Sequence, residues 1–194
     1  QTVGFEAKYL NNPTLKGTFH YTTGDARLWI DNHFTGNNGN YSDIIFRNKN
    51  VGGDQLLKER LIIKGSTGNV GIGTTSPSAK LDVEGDIQIE SANISYQENT
   101  DVDSAAAETI ATVNTGSFTG AFFDYTCVSG SNARVGTVMA VNLAGSVEFT
   151  DNSTKDIGDT SPVTLSVDIS GADMRLRATT TTDNWSIKSL VRTL

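Results

Sequence analysis

The sequence predicts an all-β protein, on three observations. No segment carries a convincing helical stripe. Short apolar runs of strand length recur between clusters of Gly, Asn and Asp such as Gly36-Asn37-Asn38-Gly39-Asn40. Val163, Leu165, Val167 and Ile169 alternate with Thr164, Ser166 and Asp168, the period of a half-buried strand. Within that class the reading is an elongated module of small strands over residues 1–90 and a connector over 91–107. An antiparallel β-sandwich or jelly roll follows over 108–194.

The first ninety residues are a succession of incomplete strands. Thr18 to Tyr21, Arg27 to Asp31 and Asp43 to Arg47 are the first runs. Leu28 and Ile30 share a face opposite Trp29, and Ile44 and Phe46 share one opposite Ile45. Val51 to Arg60 has room for one helical turn, with Leu56, Leu57 and Arg60 on one face, although Gly52 and Gly53 work against it. Leu61-Ile62-Ile63 then leads through a turn at Gly65 to Gly68 into a glycine-rich strand. There Val70 and Ile72 alternate with Gly71 and Gly73, leaving one face nearly bare. A glycine inside a strand costs backbone entropy and often marks the close approach of another backbone. Pro77 stops the strand, Leu81 and Val83 begin another, and Gly85-Asp86 turns into Ile87-Gln88-Ile89. So thin an element lacks a core of its own. The expectation is a parallel homotrimer closing around an axis.

Glu90 to Ala107 is polar, with Asn93, Gln97, Glu98, Asn99, Asp101 and Asp103 ahead of three alanines. It reads as a connector, with room for a helical turn at Asp103 to Glu108. From Glu108 the alternation becomes regular. Ile110 and Val113 mark a first strand, Phe118 to Val128 a long aromatic one, and Arg134 to Leu143 and Val147 to Thr150 the next two. After the strand at Val163, Ser170-Gly171-Ala172-Asp173 turns into Met174, Leu176 and Ala178, with Arg175 and Arg177 opposite. Thr182-Asp183-Asn184 turns again into Trp185, Ile187, Ser189 and Val191. About seven antiparallel strands joined by polar turns are the pattern of a sandwich or jelly roll.

Composition narrows the partners. The net charge is −7, with ten acids against nine bases in residues 1–90 and twelve against six in 91–194. An acidic second half argues against nucleic acid or an anionic membrane. No apolar run approaches the length of a membrane-spanning helix, so no membrane insertion is expected. Gln1 opens without a secretory pattern and in mid-pattern, as in a fragment of a longer protein. The single cysteine, Cys127, follows Phe123 and Tyr125 at period two and reads as a small buried hydrophobe.

Chemistry-bearing constellations are few. Gly71-x-Gly73 lacks the third glycine and the helix that a dinucleotide loop requires. His20 and His33 have no Cys or paired carboxylate at zinc spacing, and a metal ring on a three-fold axis is their alternative use. Asp151, Asp156 and Asp159, with Asn152 and Thr154, make an oxygen-rich loop whose spacing matches no dedicated calcium site. It reads as a solvated acidic loop. No Gly-x-Ser-x-Gly elbow is present, Ser189 and Lys188 fall on opposite faces of a strand, and no spacing singles out a carboxylate pair. No catalytic residue, metal or cofactor is expected. Trp185 alternates with Ile187 and reads as core, while Tyr41, between Asn40 and Ser42, reads as an exposed ring.

Two stretches resemble known families. Asn69-Val70-Gly71-Ile72-Gly73-Thr74-Thr75-Ser76-Pro77, with Lys80-Leu81-Asp82-Val83 and Gly85, resembles a segment near the end of many bacteriophage tail-fibre and appendage proteins. Ala121 to Tyr125 and Asp156 to Thr160 through Trp185 to Lys188 are similar to terminal domains of phage structural proteins. The first resemblance implies a homotrimeric, β-rich fibre at the virion surface, assembled with other virion tail proteins. The family's self-cleaving chaperone motif, Ser-Asp-x-Arg-x-Lys, is absent. The function expected on these grounds is binding of a host cell-surface glycan. A structural spacer of a virion or injection device, or a polysaccharide depolymerase, are the alternatives. Loops at the end of a sandwich carry such binding because the strands hold them. The candidate receptor-binding residues are therefore Asn152, Lys155 and Asp159 in one loop, Asn184 in a turn, and Tyr41.

Overall fold

The computed structural model describes residues 4–9, 12–22, 27–33, 43–49 and 57–194, with side chains over 43–47 and 58–194. The chain is all-β, with no helix among the described residues. It divides into two compact units, Gln1–Glu84 and Gly85–Leu194.

In the first unit β1 (Gly4–Tyr9), β2 (Asn12–Thr22) and β3 (Arg27–His33) form an antiparallel sheet in sequence order. His20 lies on β2 opposite Trp29, and His33 ends β3 opposite Lys16. A second sheet is built from β4 (Ile44–Lys49), β5 (Leu57–Ile63), β6 (Val70–Ile72) and β7 (Leu81–Val83). Leu57–Ile63 is thus strand where a helical turn was open.

Strands β6 and β7 run parallel, Val70 opposite Leu81, across the connection 73–80, shorter than the dozen or more residues a parallel crossover usually takes. Side chains lock that short path. Asn69 Nδ2 donates to the Pro77 carbonyl at 3.1 Å, and Lys80 Nζ to the Thr67 carbonyl at 2.6 Å. The Ser78 amide and hydroxyl both donate to Asp82, at 2.8 and 2.9 Å, and hold its carboxyl below the usual carboxylate range.

Gly71 in β6 and Gly73 just after it serve this same packing. A Cβ on Gly71 would fall 2.6 Å from the Thr74 carbonyl oxygen and 2.9 Å from Ile62 Cγ2. Gly73 has φ +79°, and its Cβ would meet the Glu84 carbonyl oxygen at 2.9 Å. The close approach inferred from these glycines is therefore to the chain itself, so they carry no argument about subunit number. The thinness of the sheet does stand. Ile62 is the buried hydrophobic side chain among its described residues, while Phe46, Ile72 and Leu81 are exposed, Leu81 by 59%.

The second unit begins with β8 (Ile87–Ile89), β9 (Ala92–Val102), β10 (Glu108–Asn114) and β11 (Gly120–Ser129). It continues with β12 (Asn132–Leu143), β13 (Ser146–Ser153), β14 (Val163–Ser170), β15 (Asp173–Thr180) and β16 (Trp185–Thr193). One sheet has six strands in the order β13-β12-β11-β16-β9-β8, the other three in the order β10-β15-β14. The architecture is sandwich-like. It is not a jelly roll, because β11-β12-β13 is a meander within one sheet and β14-β15 a hairpin within the other.

The core lies between the two sheets. Phe123, Tyr125, Cys127, Trp185, Ile187 and Val191 enter from the large sheet, and Val163, Leu165, Met174, Leu176 and Ile110 from the small one. Alternation places Lys188 outside and Ser189 inside, so they face apart as expected. Trp185 and Cys127 are core residues, also as expected.

The stretch assigned to a connector is a correction. Ala92–Val102 is an eleven-residue strand paired along β16, with Tyr96 opposite Leu190 and Val102 opposite Trp185. Where a helical turn was expected over Asp103 to Glu108, residues 103–107 form an irregular bend and Glu108 opens β10. Strand β9 hides in the sequence because its polarity is inverted. Ile94 and Tyr96 point away from the core, while Ser95, Gln97 and Asn99 point inward, past the edge of the small sheet. There they find polar partners. Gln97 Nε2 donates to the Thr112 carbonyl at 3.0 Å and its Oε1 accepts from the Thr112 amide at 2.9 Å, while Asn99 Nδ2 donates to Glu108 at 2.8 Å.

On the outer face of the small sheet Asp168 accepts from Arg175 at 2.8 and 2.7 Å and from Arg177 at 3.1 Å. The Arg175 hydrogen bond, ahead of the charges of Arg175 and Arg177, holds its carboxyl below the ordinary value despite partial burial. A depressed folded pKa adds stability that is complete above the unfolded value, about 3.9, and is lost as pH falls through the folded one.

Three outcomes follow from this packing. A fragment of residues 85–194 unfolds cooperatively in urea, whereas 108–194, which strips β9 from β16, does not; circular dichroism of the two separates them. Trp185→Ala lowers the unfolding free energy by about 3–5 kcal/mol, and Thr164→Ala leaves it nearly unchanged. Asp168→Asn costs about 1 kcal/mol or less at pH 7, the group being partly exposed, and the gap to wild type closes as pH drops below about 4.

Candidate functional site at the loop end of the sandwich

Antiparallel pairing brings four connections to one end of the second unit. They are the bend 103–107, the turn at Gly130 and Ser131, the loop 154–162 and the turn 181–184. The loop 154–162 first continues beside β12. The Thr154 amide donates to the Val135 carbonyl at 2.9 Å, and Ile157 and Ala133 exchange two bonds, each 2.9 Å. Its next residues turn over the end of the sheet. Gly158 has φ +70°, and a Cβ there would collide with Asn132 Oδ1, which accepts from the Asp159 amide at 3.0 Å.

Arg134 anchors the far side of the loop. Its Nη1 donates to the Thr160 carbonyl and hydroxyl at 3.3 and 3.2 Å, and its Nη2 to the Val163 carbonyl at 3.0 Å. Its guanidinium lies over the Tyr125 ring, 5.9 Å from the centroid. Tyr125 donates to Asp151 at 3.0 Å, and burial, ahead of the charges around it, pushes its hydroxyl up to about 12. Gly136 must be glycine here, since a Cβ would sit 2.6 Å from the Asn152 carbonyl and 2.8 Å from the Tyr125 hydroxyl. Burial also pushes the Cys127 thiol up to about 11, so it stays protonated and unreactive at neutral pH.

The three acids of the oxygen-rich loop do three separate jobs. Asp151 takes the Tyr125 proton donor, Asp156 accepts from the Thr160 amide at 3.2 Å, and Asp159 accepts from the Ser161 amide and hydroxyl at 3.0 and 2.6 Å. The Ser161 hydroxyl is the main reason the Asp159 carboxyl lies below its ordinary range. Among the described residues no group of three or more His, Cys, Asp or Glu side chains converges as metal ligands.

A second polar cluster closes the other side of this end. Asp183 accepts from both the amide and the hydroxyl of Ser104, which lowers its pKa, and Asp103 accepts from the Asn184 amide at 3.0 Å. Asn184 itself is a turn residue with φ +64°. The Trp185 indole donates to Thr182 at 2.9 Å, tying the turn to the core.

The expected receptor-binding residues therefore share one end but not one point. Asn152 is exposed on β13 opposite Thr137, and Lys155 is exposed at the start of the loop. Asp159 is exposed but hydrogen-bonded within the loop. Asn184 lies at the start of β16, three strand spacings or about 14 Å across the sheet from β13. Tyr41 lies outside the described residues. Sequence reasoning missed Asn132 and Arg134, which set the loop's path; only the Gly130-Ser131-Asn132 turn ahead of Arg134 signals them.

The reading also missed a polar cleft of about 590 Å³ at the opposite end, lined by Asp86, Gln88, Ser91, Asn93, Ser117 and Phe118. It opens where β8 and β9 overhang the small sheet, with Asn93 Nδ2 donating to Asp86 at 3.0 Å. Comparison with protein-family models, curated proteins and solved structures finds no match.

Replacing Arg134 by leucine removes three charged hydrogen bonds from loop 154–162. Amide hydrogen exchange of Ile157, Asp159 and Thr160 is expected to accelerate at least tenfold, while the amides of β11 and β16 keep a larger share of their protection.

Proposed function

We propose that this chain is a receptor-binding module of a virion fibre, acting as a homotrimer that meets a host cell-surface carbohydrate, and that it works by binding without catalysis. The observation that supports this most is the loop end of the second unit. There a rigid sandwich carries an anchored loop, two turns and a bend, with the amide of Asn152, the ammonium of Lys155 and the hydroxyls and carboxylates beside them exposed. Such a mixture of donors and acceptors suits sugar hydroxyls, and pre-ordering the loop lowers the entropic cost of binding. Three such ends side by side raise avidity by about 10²- to 10⁴-fold over one.

A spacer role is the second reading, favoured by the way Asp159, Asp183 and Asp103 spend their acceptors inside the fold. A glycan array separates the two, since a spacer binds no sugar. Light scattering at micromolar concentration is expected to give about 62 kDa, three times the 20.7 kDa chain. The variant Asn152→Ala with Lys155→Ala removes no side-chain hydrogen bond among the described residues and is expected to weaken attachment to host cells at least tenfold at an unchanged melting temperature. Replacing Asp159 as well loosens the Ser161 turn and is the less selective probe. Attachment that survives the double variant, but not Asp86→Ala with Asn93→Ala, moves the sugar to the cleft at the other end.

A further inference from the structure

The large sheet of the second unit has two faces, and the small sheet covers one of them. On the uncovered face Ile87 and Ile89 of β8 adjoin Ile94 of β9, and Phe122 of β11 adjoins Met139 of β12. Val141, Leu190 and Leu194 complete an apolar belt over the half of the face away from the loop end. Val128 and Val135 are its apolar outliers in the other half. Two hollows flank the ridge made by Phe122 and Leu194. One, of about 480 Å³, runs between Met139, Val141 and Glu148; the other, of about 220 Å³, between Ile89, Ala92 and Ile94.

We propose that this outer face is the surface through which copies of the chain pack on one another; the proposal rests on the homo-oligomer named above and assigns its contact. Two considerations choose a further copy as the occupant. The first is charge. The chain carries −7, so copies repel wherever their charges are unmatched. On this face the charges other than Glu148, at the edge strand β13, are matched in place. Arg192 lies flat over the Phe122 ring, 4.9 Å from the centroid, and donates to Asp124 at 2.9 and 3.3 Å. Burial works to raise the Asp124 carboxyl, but bonds from Thr137 and Arg192 outweigh it and keep it ionised well into acid. Lys188 approaches Glu98 at 3.8 Å. An apolar belt with Glu148 as its one unmatched charge, at the margin, offers little to a charged ligand and suits its own kind.

The second consideration is area. Six strands spaced about 4.8 Å apart and about eight residues long make a face of about 24 by 26 Å, about 600 Å². Stable associations bury about 600–1,000 Å² per partner. Association through this face leaves the loop 154–162 and the neighbouring connections open, because they lie beyond the strand ends, and Asn152, next to the last residue of the edge strand β13, falls on the rim of the contact.

The two methionines read the contact without any mutation. Met139 stands on the outer face, 36% exposed, and Met174 is fully buried in the core. Dilute peroxide converts an accessible methionine to its sulfoxide. In the full chain, sulfoxide formation at Met139 is expected to slow at least tenfold in the species of multiple mass, with Met174 as the slow reference. The variant Val141→Lys with Leu190→Lys is expected to give a 20.7 kDa species in which Met139 reacts fast. Its lysines face Glu148 and Asp124 across the sheet, so the fold accepts them. A control, Thr164→Lys on the small sheet, keeps the wild-type mass.

An oligomer whose Met139 stays reactive overturns this assignment and leaves the oligomer itself standing. A wild-type chain that is monomeric at every concentration removes both. Protection of Met139 in a species of one chain's mass overturns it too, and makes another part of the same chain the cover. If the lysine variant fails to fold, the wild-type peroxide comparison decides alone.

Discussion

Three strands cannot cover six, and that inequality organises the second unit. The central strands β11 and β16 receive the small sheet on their inner side and bury Phe123, Tyr125, Ile187 and Val191 there. At the margin the inner face runs out of apolar cover, so β9 turns Gln97 and Asn99 inward to meet the backbone of Thr112 and the carboxylate of Glu108. At the opposite margin Arg134 bridges from the large sheet to Val163 at the start of β14. The polar bridges thus stand where the second layer stops, and the hydrophobic core stands where it does not. The other side of the large sheet has no second layer among the described residues of this unit.

Much of the fold was legible wherever one face of a strand is buried and the other wet. Val163 to Ile169, Met174 to Ala178 and Trp185 to Val191 read as strands for that reason and are strands. Strand β9 failed the same test because Ile94 and Tyr96 face outward, an orientation local pattern does not encode. Gly71 and Gly73 signalled a close approach truthfully, but not whose backbone comes close; Ile62 and the Thr74 carbonyl belong to the same chain. A different signal went unused. Ala121-Phe122-Phe123 and Val138-Met139-Ala140-Val141 are apolar without alternation, as in strands with apolar neighbours on both faces.

The loop end shows how little of a site residue types reveal. Asp151, Asp156 and Asp159 look alike in a sequence, and each accepts a different donor in the structure. Lys155, which no pattern distinguishes, and Asn152, which looks like any strand residue, keep their polar groups towards solvent. What fixes their surroundings is Arg134, twenty residues upstream, whose partners are mostly main-chain carbonyls. Backbone acceptors have no sequence signature, so an anchor of this kind is visible only once the chain is folded.

The Gln97 amide also has a bearing on how the protein behaves in company. Strand β10 is a margin of its sheet, and a margin ordinarily offers free N–H and C=O groups to any extended segment that drifts past. At Thr112 both groups are already taken, by one side chain from the neighbouring layer. An incoming strand finds no ladder to extend at that point. The same side chain that compensates for missing cover inside the sandwich thereby removes a template for aggregation, in a chain whose strands would otherwise offer many.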